Sequence, residues 1–88
     1  MAVRHNRALS QYELDTENGL AVAVYRQQAD RRIFTHTEVP PASEGRGVGS
    51  RLVREALEDT RRAGLGIVPA CSFVAAFVKR HPEFADPA

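Results

Sequence analysis

The segment from Glu44 to Ser50 contains the residues whose spacing most clearly indicates a chemical role. Gly45, Gly47 and Gly49 alternate with larger residues, and glycine lets a backbone approach a ligand closely and turn its N–H groups inward. The amphipathic helix predicted to follow directs the positive end of its dipole at the same place. The segment therefore predicts a cradle for an anionic, phosphate-bearing ligand, with a flexible connector as the alternative. It lacks the Gly-Lys-Ser/Thr ending of a nucleoside-triphosphate loop, and Ser50 stands where a dinucleotide fingerprint requires glycine.

Cys71, His36 and Glu38 are candidates for nucleophilic or acid–base chemistry. Cys71 comes just before a predicted helix whose dipole would favour the thiolate; a small buried thiol is the alternative. Histidine and glutamate side chains can both act as bases, and His36 and Glu38 lie on the same face of a predicted strand, so either could accept a proton. A packed, hydrogen-bonded ring is the alternative for His36. The three histidines and one cysteine have no metal-ligand spacing, so no metal site is expected.

The chain before the glycine segment has the pattern of an antiparallel meander. Apolar and polar residues alternate from Ala8 to Val39. Asn18-Gly19 predicts a tight hairpin turn that tolerates positive φ, Gln27 to Arg31 predicts a polar turn, and Pro40-Pro41 ends the last strand because proline cannot donate to a ladder. The predicted strands are about Ser10 to Thr16, Leu20 to Tyr25 and Ile33 to Val39, with the second, apolar on both faces, in a central position.

The chain after Pro41 changes to a helical period. A long helix is predicted from near Gly47, ended by Gly64 in the left-handed conformation. A short strand, Leu65 to Pro69, should lie parallel to Ile33–Val39 after a right-handed crossover. A last helix, Phe73 to Arg80, would be capped by Ser72. Its expected buried side is Phe73, Val74, Phe77 and Val78, and the tail after Pro82 is expected to be irregular.

The composition limits the classes of protein that the chain can be. Its 88 residues and 9.7 kDa suffice for a single domain over residues 1–88 with one modest core. The apolar runs are shorter than a membrane helix needs, and a net charge of +1 provides no global basic field for nucleic acid. One cysteine and an N-terminus without an apolar stretch predict a cytoplasmic protein with a free thiol. A monomer or weak dimer is expected, although no residue pattern determines the oligomeric state. The expected fold is α/β (α+β), with a mixed, mostly antiparallel sheet, one long helix after the glycine loop and a short C-terminal helix.

Four segments together resemble a known family. Glu44-Gly45-Arg46-Gly47-Val48-Gly49 resembles the Gln/Arg-x-x-Gly-x-Gly/Ala loop of the GNAT acyl-CoA N-acetyltransferase superfamily. A group of very small stand-alone members is the nearer match, on three segments in order: His36-Thr37-Glu38-Val39-Pro40, Pro69-Ala70-Cys71-Ser72-Phe73 and Arg80-His81-Pro82-Glu83-Phe84. The resemblance covers about Tyr12 to Asp86 and implies a minimal acyl-CoA N-acyltransferase fold.

The resemblance also implies that acetyl-CoA binds in a gap where the strands Ile33–Val39 and Leu65–Pro69 splay apart. Pantetheine would lie along the backbone of Val39. The diphosphate would meet the N–H groups of Arg46, Gly47, Val48, Gly49 and Ser50, and Gly45 and Ser72 are also implied to bind the cofactor. By charge complementarity, Lys79, Arg80 and His81 would meet the adenosine phosphates. A solvated helix end is the alternative for the last three.

Three departures from the family pattern shape the expected chemistry. Glu44 replaces the usual Gln or Arg, the two helices that wall the acceptor pocket are absent, and Phe73 occupies the region of a tyrosine that protonates the departing thiolate. Cys71 is then the polar group nearest the thioester, either as a nucleophile that becomes acetylated or as an aid to the leaving group. His36 or Glu38 would take the proton from the attacking ammonium.

The expected function is acetyl-CoA-dependent N-acetyl transfer to an unidentified primary amine, in a protein or a small molecule. Two other classes stay open. A non-catalytic module that holds CoA or acyl-CoA is suggested by the missing acceptor walls and tyrosine, and a protein-interaction domain would use the glycine loop only as a connector. Nucleic-acid binding and membrane insertion are not expected, because arginines of the long helix alternate with acids and no apolar run is long enough.

Overall fold

A five-stranded sheet forms the body of the molecule in the computed structural model, which describes residues 2–86. The strands lie side by side in chain order: β1 (Arg4–Asn6), β2 (Gln11–Thr16), β3 (Gly19–Gln28), β4 (Arg31–Glu38) and β5 (Gly66–Pro69). The first three pairings are antiparallel, and β5 is parallel to β4, as the sequence predicts. The predicted α/β class and mostly antiparallel sheet are confirmed.

Two helices, α1 (Val48–Arg62) and α2 (Ser72–Arg80), lie against the sheet and contact each other. Gly64 ends the α1 segment with a φ of +75°, the left-handed conformation predicted for it. The core between helices and sheet is built from Tyr12, Leu14, Ala21, Ala23, Tyr25, Phe34, Leu52, Val53, Ala56, Leu57, Ile67, Val74, Phe77, Val78 and Phe84. The opposite face of the sheet is open to solvent, and Leu20 on that face is 40% exposed. The helices thus cover one face of the sheet.

Strand β1 is an element that the sequence analysis missed. Its residues Arg4, His5 and Asn6 are all polar, so they carry no apolar alternation from which a strand is predicted. Arg4 donates to the carboxylate of Asp15, and Asn6 donates to Glu13 at 3.0 Å. The strand is therefore attached by polar side chains to β2.

Strand β4 contains a bulge that reverses the predicted alternation at its end. Tyr25 pairs with Phe34, but the preceding residue Val24 pairs with His36, so Thr35 is the extra residue. Beyond the bulge, Thr37 pairs with the buried Ala23 and shares the helix-covered face. His36 consequently points to the open face.

Four local predictions are corrected by the structure. Cys71, not Ser72, is the N-cap of α2, because its sulfur accepts the N–H of Val74 at 3.4 Å. Phe73 is 37% exposed instead of buried, since it is turned toward the glycine loop. The tail folds into a 3-10 turn, Pro82–Phe84, with Phe84 buried against Phe77. At the β2–β3 turn, Gly19 alone has a positive φ, +124°.

Candidate functional site

The glycine loop connects β4 to α1, and its glycines are required for two different reasons. Gly45 and Gly47 have φ of +80° and +77°, which favour glycine, and a Cβ at either would meet open space among the described atoms. Gly49 has ordinary helical geometry, but a Cβ there would lie 2.6 Å from Cζ of Phe73. The first two glycines shape the loop, and the third lets the Phe73 ring lie against the start of α1.

Gly47 is the N-cap of α1 and offers no side chain to the first helical turn. Within residues 2–86, no side chain caps this end by a hydrogen bond. The N–H groups of Val48, Gly49 and Ser50 belong to the first turn, which lacks carbonyl partners within the helix. Unsatisfied N–H groups and the positive end of the helix dipole make such a turn suited to an anion.

A cavity of about 460 Å³ lies at this end of α1, between the end of β4 and the start of α2. Six of the predicted ligand-binding residues line it: Val39, Gly45, Gly47, Val48, Gly49 and Ser50. Sequence reasoning did not place Thr37, Ser43 and Phe73 here, and the cavity also includes Glu44. Thr37 was not predicted here, because the bulge that turns it to this side cannot be recognised from the alternation of apolar and polar residues.

The remaining predicted ligand-binding residues lie around this cavity. Arg46 lines a neighbouring cavity of about 160 Å³, and Ser72 is exposed at the first position of α2. Lys79 and Arg80 are exposed at the far end of α2. His81 turns back toward the protein, with Nδ1 at 3.3 Å from Nη2 of Arg54. The structure thus separates the basic C-terminal cluster from the residues of the glycine loop.

Cys71 lies directly behind the wall of the cavity. Its sulfur is 3.3 Å from Oγ1 of Thr37, a residue that lines the cavity, and it accepts the N–H of Val74 at 3.4 Å. The backbone N–H of Cys71 donates to Phe34 O at 2.9 Å. The thiol is half-buried and held by contacts with both β4 and α2, at the N-terminal end of a helix.

The pairing between β4 and β5 ends beside Cys71. Phe34 and Pro69 form the last pair of the ladder, and proline has no N–H with which to continue it. Beyond this pair β5 gives way to α2, so the backbone of β4 from Thr35 to Glu38 borders a gap. This is the place where the sequence analysis expected the two strands to splay.

His36 and Glu38 lie together on the open face of the sheet. Nε2 of His36 is 3.1 Å from Oε2 of Glu38, and both side chains are exposed. The bulge places them opposite the face on which Thr37 contacts Cys71. Cys71 therefore lies on one side of the end of β4, and His36 and Glu38 lie on the other side.

A second polar cluster, which the sequence analysis did not predict, lies under β1. Tyr12 donates to Asp59 at 2.5 Å and accepts from Arg32 at 2.6 Å. The ring of His5 stacks on Tyr12 at 4.2 Å, with Nε2 at 2.7 Å from the hydroxyl of Tyr25. Because strand β1 was not predicted, no sequence pattern singled out His5.

These contacts shift three ionisation equilibria in the cluster. The hydrogen bond from Tyr12 holds the pKa of Asp59 below its ordinary value. Burial, together with the hydrogen bond to Asp59, raises the pKa of Tyr12. Burial, with the nearby charge of Arg32, lowers the pKa of His5. The cluster therefore favours an ionised Asp59 beside a neutral His5.

Among the described residues, no three His, Cys, Asp or Glu side chains come together as a metal site would require. No helix within residues 2–86 has the length and apolar character needed to cross a membrane.

Known proteins resemble this chain in both sequence and fold. The sequence pattern of the GCN5-related N-acetyltransferase family matches residues 11–87. Protein NATD1 of Bos taurus is 32% identical over 83 residues, which are 91% of this chain and 74% of that protein. The solution structure of a GCN5-like protein from Staphylococcus aureus superimposes with a TM-score of 0.68 at 23% identity, over 94% of this chain and 82% of the other.

Proposed function

Because this chain belongs to the GCN5-related N-acetyltransferase family, we propose that it takes acetyl-CoA as the acetyl donor and a primary amine as the acceptor. The observation that carries this proposal is the cavity of about 460 Å³, bounded by the uncapped first turn of α1 and the end of β4. Its walls offer N–H groups for an anion and the apolar surfaces of Val39, Val48 and Phe73. CoA, in which a diphosphate is linked to the long neutral pantetheine arm, matches both the N–H groups and the apolar surfaces.

The glycine loop and first turn of α1 would hold the diphosphate of CoA. The N–H groups of Val48, Gly49 and Ser50 donate to its oxygens, and Gly45 and Gly47 keep the loop backbone free of side chains at the point of contact. Pantetheine would then extend along Val39 toward Thr37, where the thioester comes near Cys71. Arg46, Ser72, Lys79, Arg80 and His81 remain proposed contacts for the outer part of CoA.

Two routes of transfer follow from the position of Cys71. In the covalent route the thiol of Cys71 attacks the thioester carbonyl carbon, the carbon–sulfur bond of CoA breaks, and the thiol proton passes to the departing CoA sulfur. An amine then attacks the same carbon, and the bond between that carbon and the Cys71 sulfur breaks to release Cys71. In the direct route the amine attacks the same carbon, and Cys71 gives a proton to the departing CoA thiolate. In both, the proton lost by the acceptor ammonium passes to His36 or Glu38.

The two sides of β4 supply different parts of this chemistry. Thr37 and Cys71 border the gap from the helix-covered side, where the donor would lie. His36 and Glu38 border it from the open side and are exposed, so an amine arriving from solvent meets the base before the thioester. This arrangement supports an acceptor that approaches across the open face of the sheet.

Calorimetric titration of the reduced protein with acetyl-CoA and CoA, with ATP and NAD as controls, tests the donor. We expect binding selective for the two CoA compounds; equal binding of ATP, or no binding, would contradict the proposal. Intact mass after exposure to acetyl-CoA separates the routes: an added acetyl group that Cys71→Ala removes supports the covalent route, and its absence during turnover supports the direct one.

A CoA-binding module without turnover is the second candidate function. The exposed open face favours it, because no part of the chain that the structure describes forms a wall around Leu20, His36 and Glu38 that would hold an acceptor. Incubation with acetyl-CoA and a panel of amines distinguishes the two functions. Transfer that falls in His36→Gln identifies an enzyme, whereas tight CoA binding with no transfer to any amine identifies the binding module.

A further inference from the structure

The tip of the β2–β3 hairpin lies against the chain that leads into the glycine loop. Nδ2 of Asn18 donates to Oγ of Ser43 at 3.0 Å. Beside it, Gly19 approaches Pro40 so closely that a Cβ at position 19 would lie 3.5 Å from the proline ring. Ser43 is 3% exposed. The hairpin therefore meets the loop entry through one part-buried hydrogen bond and the approach of Gly19 to Pro40.

The hairpin tip is itself held in a fixed shape. Oγ1 of Thr16 donates to Gly19 O at 2.6 Å and accepts the backbone N–H of Asn18 at 3.1 Å. A side chain that bonds the backbone on both sides of a turn restricts its conformations. The backbone of Asn18 is thus already ordered when its side chain bonds to Ser43.

The loop beyond Ser43 has few contacts of its own. A short 3-10 turn, Pro41–Ser43, is closed by Ser43 N–H to Pro40 O at 2.8 Å, and Glu44 N–H reaches Pro41 O at 3.2 Å. Gly45 and Gly47 then follow in open surroundings. Glycine loses more conformational freedom on ordering than any other residue. A ligand that must first order this loop binds more weakly than one that meets it already formed.

We propose that Asn18 is a positioning residue for the glycine loop, acting through Ser43. It holds the 3-10 turn so that the N–H groups of the loop and of the first turn of α1 face the same point before the ligand arrives. The identity of that ligand, the diphosphate of CoA, rests on the function proposed above. The order that Asn18 imposes on the free loop does not depend on that proposed function.

Three variants test this role: Asn18→Ala, Ser43→Ala and the double variant. Loss of one net hydrogen bond is worth about 1 kcal/mol, so each single variant should bind CoA roughly fivefold more weakly in calorimetry. Because Asn18 acts through Ser43, the double variant should bind no more weakly than the singles, as expected for coupled residues. Asn6→Ala is the matched control, since Asn6 Nδ2 also donates one side-chain bond, to Glu13 at 3.0 Å within the β1–β2 pair. Its CoA affinity should equal that of the wild type.

Amide hydrogen exchange in the free protein supplies a reading that needs no ligand. The N–H groups of Ser43 and Glu44 should exchange several-fold faster in Asn18→Ala, with core amides unchanged. A lower melting temperature with unchanged CoA affinity, or additive losses in the double variant, would overturn the positioning role. If wild-type protein fails to bind CoA, the proposed function fails, and unchanged exchange at Ser43 and Glu44 would then overturn this inference as well.

Discussion

At the scale of single residues, Gly49 shows that a glycine can be required by a neighbour instead of by a ligand. The alternation of three glycines predicts one shared purpose, close approach of a phosphate. The structure assigns Gly45 and Gly47 to backbone conformation and Gly49 to the space occupied by Phe73. No spacing within the loop reveals this difference, because Phe73 is 24 positions further along the chain.

Gly49→Ala is therefore expected to destabilise the protein by about 1–3 kcal/mol, the usual cost of overpacking. The new Cβ must displace the Phe73 ring, which lies 2.6 Å from it. Urea unfolding measures the loss, and the same substitution in a Phe73→Ala background should cost much less because the clash is gone. Gly47→Ala, with strain from its φ of +77° but no clash, should lose stability equally in both backgrounds. Equal cost of Gly49→Ala in both backgrounds would contradict this explanation.

His5 provides a pH dependence of stability at the residue scale. Burial lowers its pKa below the ordinary 6.5, so between the two values the unfolded chain binds more protons than the folded one. Stability is then full above pH 6.5 and falls as the pH falls below it. Asp59, whose folded pKa lies below 3.8, loses its contribution only at lower pH.

The expected result is a free energy of unfolding that decreases between pH 7.5 and 5.5 in wild-type protein and changes less in His5→Gln. Denaturant titrations at several pH values measure it. His36→Gln, which replaces an exposed histidine, is the control and should retain the wild-type slope. A slope that survives in His5→Gln but disappears in His36→Gln would show that the polar cluster is not the source.

At the scale of secondary-structure elements, the sequence predicts those with strong periodicity and misses those defined by side-chain partners. Strands β2 to β5 and both helices occur where they are predicted, because apolar alternation or a 3.6-residue period identifies them. The polar turn predicted from Gln27 to Arg31 is wrong in extent, since β3 continues to Gln28 and β4 begins at Arg31. Strand β1, the bulge at Thr35 and the buried Phe84 depend on contacts with distant residues. Of the six predicted residues of the glycine loop, all but Arg46 line one cavity, and Arg46 lines a neighbouring one. The bulge decides that Thr37, and not His36, contacts Cys71.

The C-terminal segment is an element whose role becomes visible only through such contacts. Oδ2 of Asp86 accepts the N–H of Ile67 at 2.9 Å, and Oδ1 accepts from Arg61 at 2.8 Å. Ile67 belongs to β5, which lies at the edge of the sheet. The carboxylate thus covers an edge N–H group that would otherwise be available to a strand of another molecule.

Asp86→Ala is expected to lower the free energy of unfolding by about 1–3 kcal/mol, since hydrogen bonds to a charged group are stronger than neutral ones. Asp86→Asn, which keeps an acceptor oxygen, should lose less. Thermal or urea unfolding measures both, with Asp30→Ala as the control because the Asp30 side chain is 83% exposed. If Asp86→Ala and Asp30→Ala behave alike, the tail does not stabilise β5.

At the scale of the whole molecule, a single layer of helices on one face of the sheet divides the proposed chemistry between two sides. The helix-covered side holds the cavity, Thr37 and Cys71, and the open side holds His36 and Glu38. Residues 2–86 form no second layer that would enclose both substrates of the proposed reaction. Donor binding and acceptor activation should then be separable by substitution.

His36→Gln is expected to leave the Kd for CoA within about twofold of wild type and to lower kcat/KM for the amine by 10²-fold or more, the usual contribution of a general base. The loss should shrink as the pH rises, because a deprotonated amine needs no base. Gly47→Ala on the other side should weaken CoA binding while the pH profile of transfer stays that of the wild type. Calorimetry and initial rates from pH 6 to 9 measure the two effects. If His36→Gln weakens CoA binding as much as it slows transfer, the two faces act as one site and the division between donor and acceptor sides is wrong.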